Sequence, residues 1–196
     1  MIAYLKGKVA EVDPTYVIVD INGIGYQAKI SLNTYGVIKE MPEVMLHTHL
    51  HIREDAHTLF GFAEAAERKR FLDLTSISGV GASTAMMVLS SLSPEELQRA
   101  IVNEEIKTIQ GVKGIGLKTA QRIVLELKDK MVKEGWEEKS SDQPIISNTL
   151  PNEALSALIT LGIPRASAQK TIDSILKEYG QEIKLEELIK LALRRA

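Results

Sequence analysis

Two glycine pairs carry the most specific chemistry in this sequence. Ile77-Ser78-Gly79-Val80-Gly81-Ala82-Ser83-Thr84-Ala85 recurs 35 residues later as Val112-Lys113-Gly114-Ile115-Gly116-Leu117-Lys118-Thr119-Ala120. Gly79/Gly114, Gly81/Gly116, Thr84/Thr119 and Ala85/Ala120 are identical, and Ile77/Val112 and Val80/Ile115 keep apolar character. One Gly-x-Gly between helices is often only a tight connection; two copies with matched flanks mark a repeated device. Glycine admits backbone dihedrals that other residues resist, and its missing side chain lets an anion approach the main chain. The N–H groups of the turn and of the next helix's first turn then converge on one point, which favours a phosphate. Val80 and Ile115, between the glycines, are expected to plug into a core and hold each turn rigid. Lys118 and Arg122 stand at i, i+4, so both can reach phosphates beside the second turn.

Other phosphate-binding patterns fail. Gly111 to Gly116 has the spacing of a nucleotide-binding loop, but Leu117 intrudes before Lys118-Thr119 and the loop follows a helical pattern instead of a strand. A dinucleotide fingerprint lacks its third glycine, since Thr84 occupies that place. His47, His49 and His51 alternate along one strand face, and three imidazoles can hold zinc in principle. No carboxylate or cysteine is built around them, so an exposed polar face is the expected reading and no metal or cofactor is assigned. Glu54-Asp55, taken alone, is an exposed acidic turn.

Composition narrows the classes further. The chain has 196 residues, 24 Lys and Arg against 26 Asp and Glu, and no cysteine. Uniform basic coating, disulfides, thiolate metal sites and cysteine nucleophiles are excluded. Local charge is uneven: residues 107–133 carry 7 basic and 2 acidic side chains. No apolar run approaches the ~18–20 residues of a membrane span, and the start lacks a signal-peptide core, so a reduced, cytoplasmic, soluble protein is expected. Phe and Tyr are too few for a base-stacking platform.

The elements that must position these residues fall into three regions. Residues 1–63 read as five short strands, 2–12, 16–21, 26–30, 44–52 and 58–62, suited to a small closed barrel. Asn22-Gly23 marks a tight turn, and 31–40 reads as an interlude with a short helix. Residues 64–134 switch to helical period, with Ser93-Pro94-Glu95-Glu96 as a helix start. Residues 135–151 lack periodicity and read as a flexible linker. Residues 152–196 read as a three-helix bundle, with Asn152 capping the first helix and Gly162 and Gly180 ending two of them.

The glycine repeat resembles the helix-hairpin-helix motif, a sequence-independent grip on the DNA backbone. Tandem copies behind a barrel, with a linker and a three-helix bundle after them, resemble the RuvA family of Holliday-junction-binding subunits. The likeness runs through the opening Met-Ile-x-Tyr-Leu-x-Gly, Gly23-Ile24-Gly25-Tyr26, Arg53-Glu54-Asp55-Ala56, Leu59-Phe60-Gly61-Phe62, both hairpins and Leu161-Gly162.

The resemblance implies a multi-domain α+β protein. An N-terminal five-stranded OB-fold barrel precedes an all-α tandem helix-hairpin-helix domain and a C-terminal UBA-like three-helix bundle. It implies a non-enzymatic homotetramer, or an octamer of two tetramers, that binds four-way junction DNA in recombination and repair. The RuvB AAA+ ATPase is the implied motor and the RuvC resolvase a further implied partner. Gly79, Val80, Gly81, Ser83, Thr84, Gly114, Ile115, Gly116, Lys118, Thr119 and Arg122 become the expected DNA-binding set. Glu54 and Asp55 become an acidic pin whose carboxylates, multiplied by fourfold symmetry, repel phosphates at the crossover. Leu158, Leu161, Ile163 and Leu193 match the family's motor-docking surface, although Leu158 and Leu161 read equally well as core. Many family members carry lysine where Ser83 stands, so less salt-dependent affinity is expected from the first hairpin. A helix-hairpin-helix nuclease or glycosylase, a generic duplex binder and an adaptor that never touches DNA are the competing readings.

Overall fold

The computed structural model describes residues 1–140, 149–180 and 183–195. The chain divides into two compact units, Met1–Lys139 and Ser140–Ala196. The first unit begins with strands β1 (Tyr4–Asp13), β2 (Tyr16–Ile21) and β3 (Ile24–Lys29), then helix α1 (Leu32–Ile38) and strands β4 (Glu43–Ile52) and β5 (His57–Phe62). They close into a barrel in the order β1-β2-β3-β5-β4. All pairings are antiparallel except β3 with β5, which meet in parallel at Lys29 and Phe60.

Alternation sets which side chains point inward. Val17, Val19, Val44 and Leu46 are buried, with Leu5, Ala28 and Ile30 beside them. The expected Asn22-Gly23 turn joins β2 to β3 with Ile21 opposite Ile24, both turn residues having positive φ (54° and 87°). That pair of dihedrals is the twist-matched two-residue hairpin turn. Gly7 is required for a different reason: a Cβ there would stand 2.2 Å from the Asp20 carbonyl oxygen on the neighbouring strand.

Helices α2 (Ala65–Thr75), α3 (Ala82–Ser91), α4 (Pro94–Val102), α5 (Ile106–Gln110) and α6 (Leu117–Ser140) follow. They do not form an independent core. Phe60 and Phe62 of β5 join the helical core, with ring centroids 4.9 Å and 5.1 Å from Phe71 of α2. Polar contacts reinforce this joint. Asn33 Nδ2 donates to the Leu89 and Leu92 carbonyls at 2.6 and 3.0 Å, tying α1 to the end of α3. Glu67 of α2 is only 3% exposed, and its carboxylate accepts from the Ser31 and Thr34 hydroxyls. Burial raises the Glu67 pKa above the ordinary carboxylate value, while the two hydroxyl bonds oppose the rise.

The second unit holds α7 (Thr149–Thr160), α8 (Arg165–Tyr179) and α9 (Leu185–Arg195) around Ala154, Leu155, Leu158, Ala168, Ile172, Ile175 and Leu188. Gly162, at φ 92°, ends α7 in a Schellman turn: Ile163 N–H donates to the Leu158 carbonyl and Gly162 N–H to that of Ile159, both at 3.0 Å. Arg195 closes α9 onto α8 through Glu178 at 2.7 Å.

Helix α6 runs on to Ser140, and α7 starts at Thr149 instead of at an Asn152 cap. Helix therefore covers both ends of the stretch read as linker, and residues 141–148 lie outside the described residues. Gly135 and the polar residues after it suggest a break in the sequence. One glycine in a helix is tolerated at about 1 kcal/mol, however, and helix-forming Glu and Lys surround it. Among the described residues, no helix is long and apolar enough to cross a membrane.

Candidate nucleic-acid interface

The two glycine turns match in their hydrogen bonds. Val80 N–H donates to the Ile77 carbonyl at 3.0 Å, and Ile115 N–H to that of Val112 at 3.1 Å. Ala85 and Ala120 donate to the Gly81 and Gly116 carbonyls, each at 2.9 Å, which makes the second glycine of each pair the residue preceding a helix. Val80 and Ile115 are buried in one shared core, the plugging role that their apolar character implies.

The two glycines of a pair do different work. Gly79 and Gly114 have φ of 91° and 88°, the left-handed region that favours glycine. Gly81 has φ −84°, which any residue adopts. A Cβ on Gly81 or Gly116 would meet nothing within 4 Å. The chain's own packing therefore does not demand glycine at these second positions. Bare backbone there leaves room for something outside the chain.

The helix starts that follow are built to stay open. Helix α3 has no side-chain cap and no acidic residue in its first turn, and α6 has no acid there either. Helix α4 is the opposite. Ser93 Oγ accepts from Glu96 N–H, the Glu96 carboxylate accepts from Ser93 N–H, and Glu95 adds charge. That capping box satisfies its own donors and repels anions. The first-turn N–H groups of α3 and α6 lack intrahelical acceptors and remain available.

Charge is distributed unequally around the turns. Ser83 is exposed on α3 and Thr84 half-buried beside it, and neither carries charge. On α6, Lys118 is exposed and Thr119 half-buried, while Arg122 donates from Nε to Glu126 at 2.6 Å. Sequence reading missed this pairing, although the i, i+4 spacing of Arg122 and Glu126 was available to find it. The second turn lies against α3: a Cβ on Gly114 would approach Met87 Cε to 3.2 Å.

Glu54 and Asp55 sit exposed in the loop between β4 and β5, closed by Arg53 N–H on the Ala56 carbonyl at 2.9 Å. Asp55 leans on Arg53 at 3.8 Å. A groove of about 350 Å³ is walled by Arg53 and Asp55 on one side and Gly81 and Ser83 on the other. The acidic loop and the first hairpin, 26 residues apart in sequence at Asp55 and Gly81, thus share one surface.

Two expectations need correction. The histidine row is not an exposed polar face. His47, His49 and His51 are half-buried, and the Phe71 ring of α2 lies 5.5 Å from that of His49 at an interplanar angle of 54°. Burial, His51 and Arg68 hold the His49 pKa below its ordinary value. No group of three His, Cys, Asp or Glu side chains among the described residues could hold a metal ion. Leu158 is fully buried in the C-terminal core and offers no docking surface. Leu161 and Leu193 remain exposed there, and Ile163 is half-buried against the core.

Comparison with known proteins agrees with this construction along the whole chain. The RuvA N-terminal domain family matches residues 1–61, the SAM-like helix-hairpin-helix tandem family 71–129, and the RuvA C-terminal domain family 151–196. The Holliday junction branch migration complex subunit RuvA of Cytophaga hutchinsonii is 54% identical over 197 residues, covering 99% of each chain. Its namesake from Christiangramia forsetii is 52% identical over 196 residues and all of both chains, and that of Bacteroides fragilis 44% over 202 residues and likewise all of both. With barrel, paired hairpins and C-terminal bundle each matched in order, and with relatives this similar from end to end, the chain belongs to the RuvA family.

Proposed function

We propose that this protein is the non-enzymatic, DNA-holding subunit of a Holliday-junction branch-migration complex. It binds four-way junctions by phosphate position and shape, not by base sequence, and works with the RuvB ATPase, which supplies the motor activity. The duplicated hairpin carries this reading. Each copy presents an accessible backbone turn and an open helix start, the arrangement that accepts a phosphate. In this reading four copies assemble around the crossover as a tetramer, or as an octamer of two tetramers. The Glu54 and Asp55 loops then gather at the centre and keep exchanging strands apart. Exposed Leu161 and Leu193, with Ile163, dock the motor, and RuvC acts on the same junction in the cytoplasm.

The test is competition between a labelled four-way junction and a linear duplex of equal length, at several salt concentrations. Glu54→Gln/Asp55→Asn is measured alongside. The expected outcome is a junction preference of orders of magnitude that the double variant narrows without weakening duplex binding. Equal affinity for both DNAs would reduce the hairpins to generic backbone grips. Binding to neither would leave an adaptor.

A further inference from the structure

The second hairpin carries its own cations, Lys118 and Arg122, whereas the first offers only Ser83 at the equivalent of Lys118. The surface beside Ser83 is completed by another part of the chain. Two grooves flank that residue. One is the 350 Å³ groove between the acidic loop and Gly81. The other, of about 460 Å³, lies between the barrel and α3 and reaches Lys113, just ahead of the second hairpin. Lys29, the last residue of β3, lines both grooves, as does Ser83. Its backbone is fixed opposite Phe60, where β3 meets β5. Ala28 beside it faces the barrel core, so strand alternation turns Lys29 outward, and it is exposed. The carboxylate of the first groove, Asp55, is already drawn toward Arg53.

We propose that Lys29 is the phosphate-binding cation of the first hairpin. The hairpin contributes backbone N–H groups from 81–83, and the barrel contributes the charge that Ser83 lacks. An ammonium on a four-carbon stem suits this role, since it approaches a phosphate as a mobile point charge and needs no fixed geometry. The inference rests on the reading of the hairpins as backbone grips.

The experiment measures binding of the full-length protein to a four-way junction and to a duplex between 50 and 200 mM salt. The variants are Lys29→Gln, Lys118→Gln, Ser83→Lys and the combination Lys29→Gln/Ser83→Lys. Lys29→Gln is expected to weaken binding to both DNAs. It should also lower the salt slope by ~0.9 for each phosphate that is no longer neutralised, or about threefold less affinity change over that salt range. Ser83→Lys in the Lys29→Gln background is expected to restore both, which a purely structural role for Lys29 would not allow. Wild-type affinity and slope in Lys29→Gln, with both reduced in Lys118→Gln, would overturn this assignment and keep the hairpin reading. If neither substitution changes binding, the hairpin reading falls and this assignment with it. Lys29→Arg, which keeps the charge and the strand position, should bind as wild type; weakened binding there would also count against the proposal.

Discussion

At the first hairpin Gly79 turns at φ 91° and at the second Gly114 turns at 88°, and the closing hydrogen bonds differ by 0.1 Å. Around that common backbone the side chains diverge. The second turn leads into Lys118 and Arg122, with the arginine held by Glu126; the first leads into Ser83 and lies beside the acidic loop. The difference separates two tasks that one motif usually combines. Position comes from the backbone and its glycines, which are duplicated faithfully. Long-range attraction comes from charge, which is free to sit elsewhere on the surface.

Removing the charged half of the second hairpin breaks the contrast most severely. Lys118→Gln/Arg122→Gln is expected to weaken junction and duplex binding alike by about a hundredfold, taking about 1.5 kcal/mol for each charged contact. The salt slope should fall by ~1.8 per subunit. Unchanged binding in a fluorescence titration would remove the second hairpin from the interface.

Substitutions at the paired glycines separate positioning from fold. Gly81→Ala places a methyl group in open space with an ordinary φ, so the melting temperature should hold while DNA affinity falls by about tenfold, or ~1.4 kcal/mol. Gly79→Ala imposes a left-handed alanine and should cost about 1–2 kcal/mol of stability before any DNA is added. A stability loss in both, or in neither, would contradict the division of labour within each pair.

The smallest effect sharpens the comparison within α6. Glu126→Gln releases Arg122 from an exposed i, i+4 pair worth about 0.2–0.5 kcal/mol, so DNA affinity should rise by about twofold. Charge removal near the DNA contributes in the same direction. A fall in affinity would mean that Glu126 orients Arg122 for binding.

Much of this architecture was legible from residue types. The strand periods, the Asn22-Gly23 turn, the Ser93-Pro94 helix start and the repeated glycines all act through neighbours within a few residues. What stayed hidden depends on partners distant in sequence. The histidine row reads as exposed because the helix that brings Phe71 beside His49 begins at Ala65, beyond the next strand. Nothing local marks Glu67 as buried, since the hydroxyls that receive it lie 33 and 36 residues earlier. Leu158 could be core or surface until the packing of α7 against α8 and α9 decided it. Lys29 draws no attention in the sequence because its importance comes from Ser83, which belongs to another element.

The aromatic joint between barrel and helices has a further consequence. Phe60, Phe62 and Phe71 belong to one core, and the Glu67 carboxylate bolts α2 to the hydroxyls at the start of α1. The acidic loop and the hairpins therefore cannot drift apart as beads on a string would. They form a set square whose angle is fixed before DNA arrives. Under the proposed function, a junction must bend its arms to that angle, and a substrate too stiff to comply is refused even though every phosphate contact is on offer.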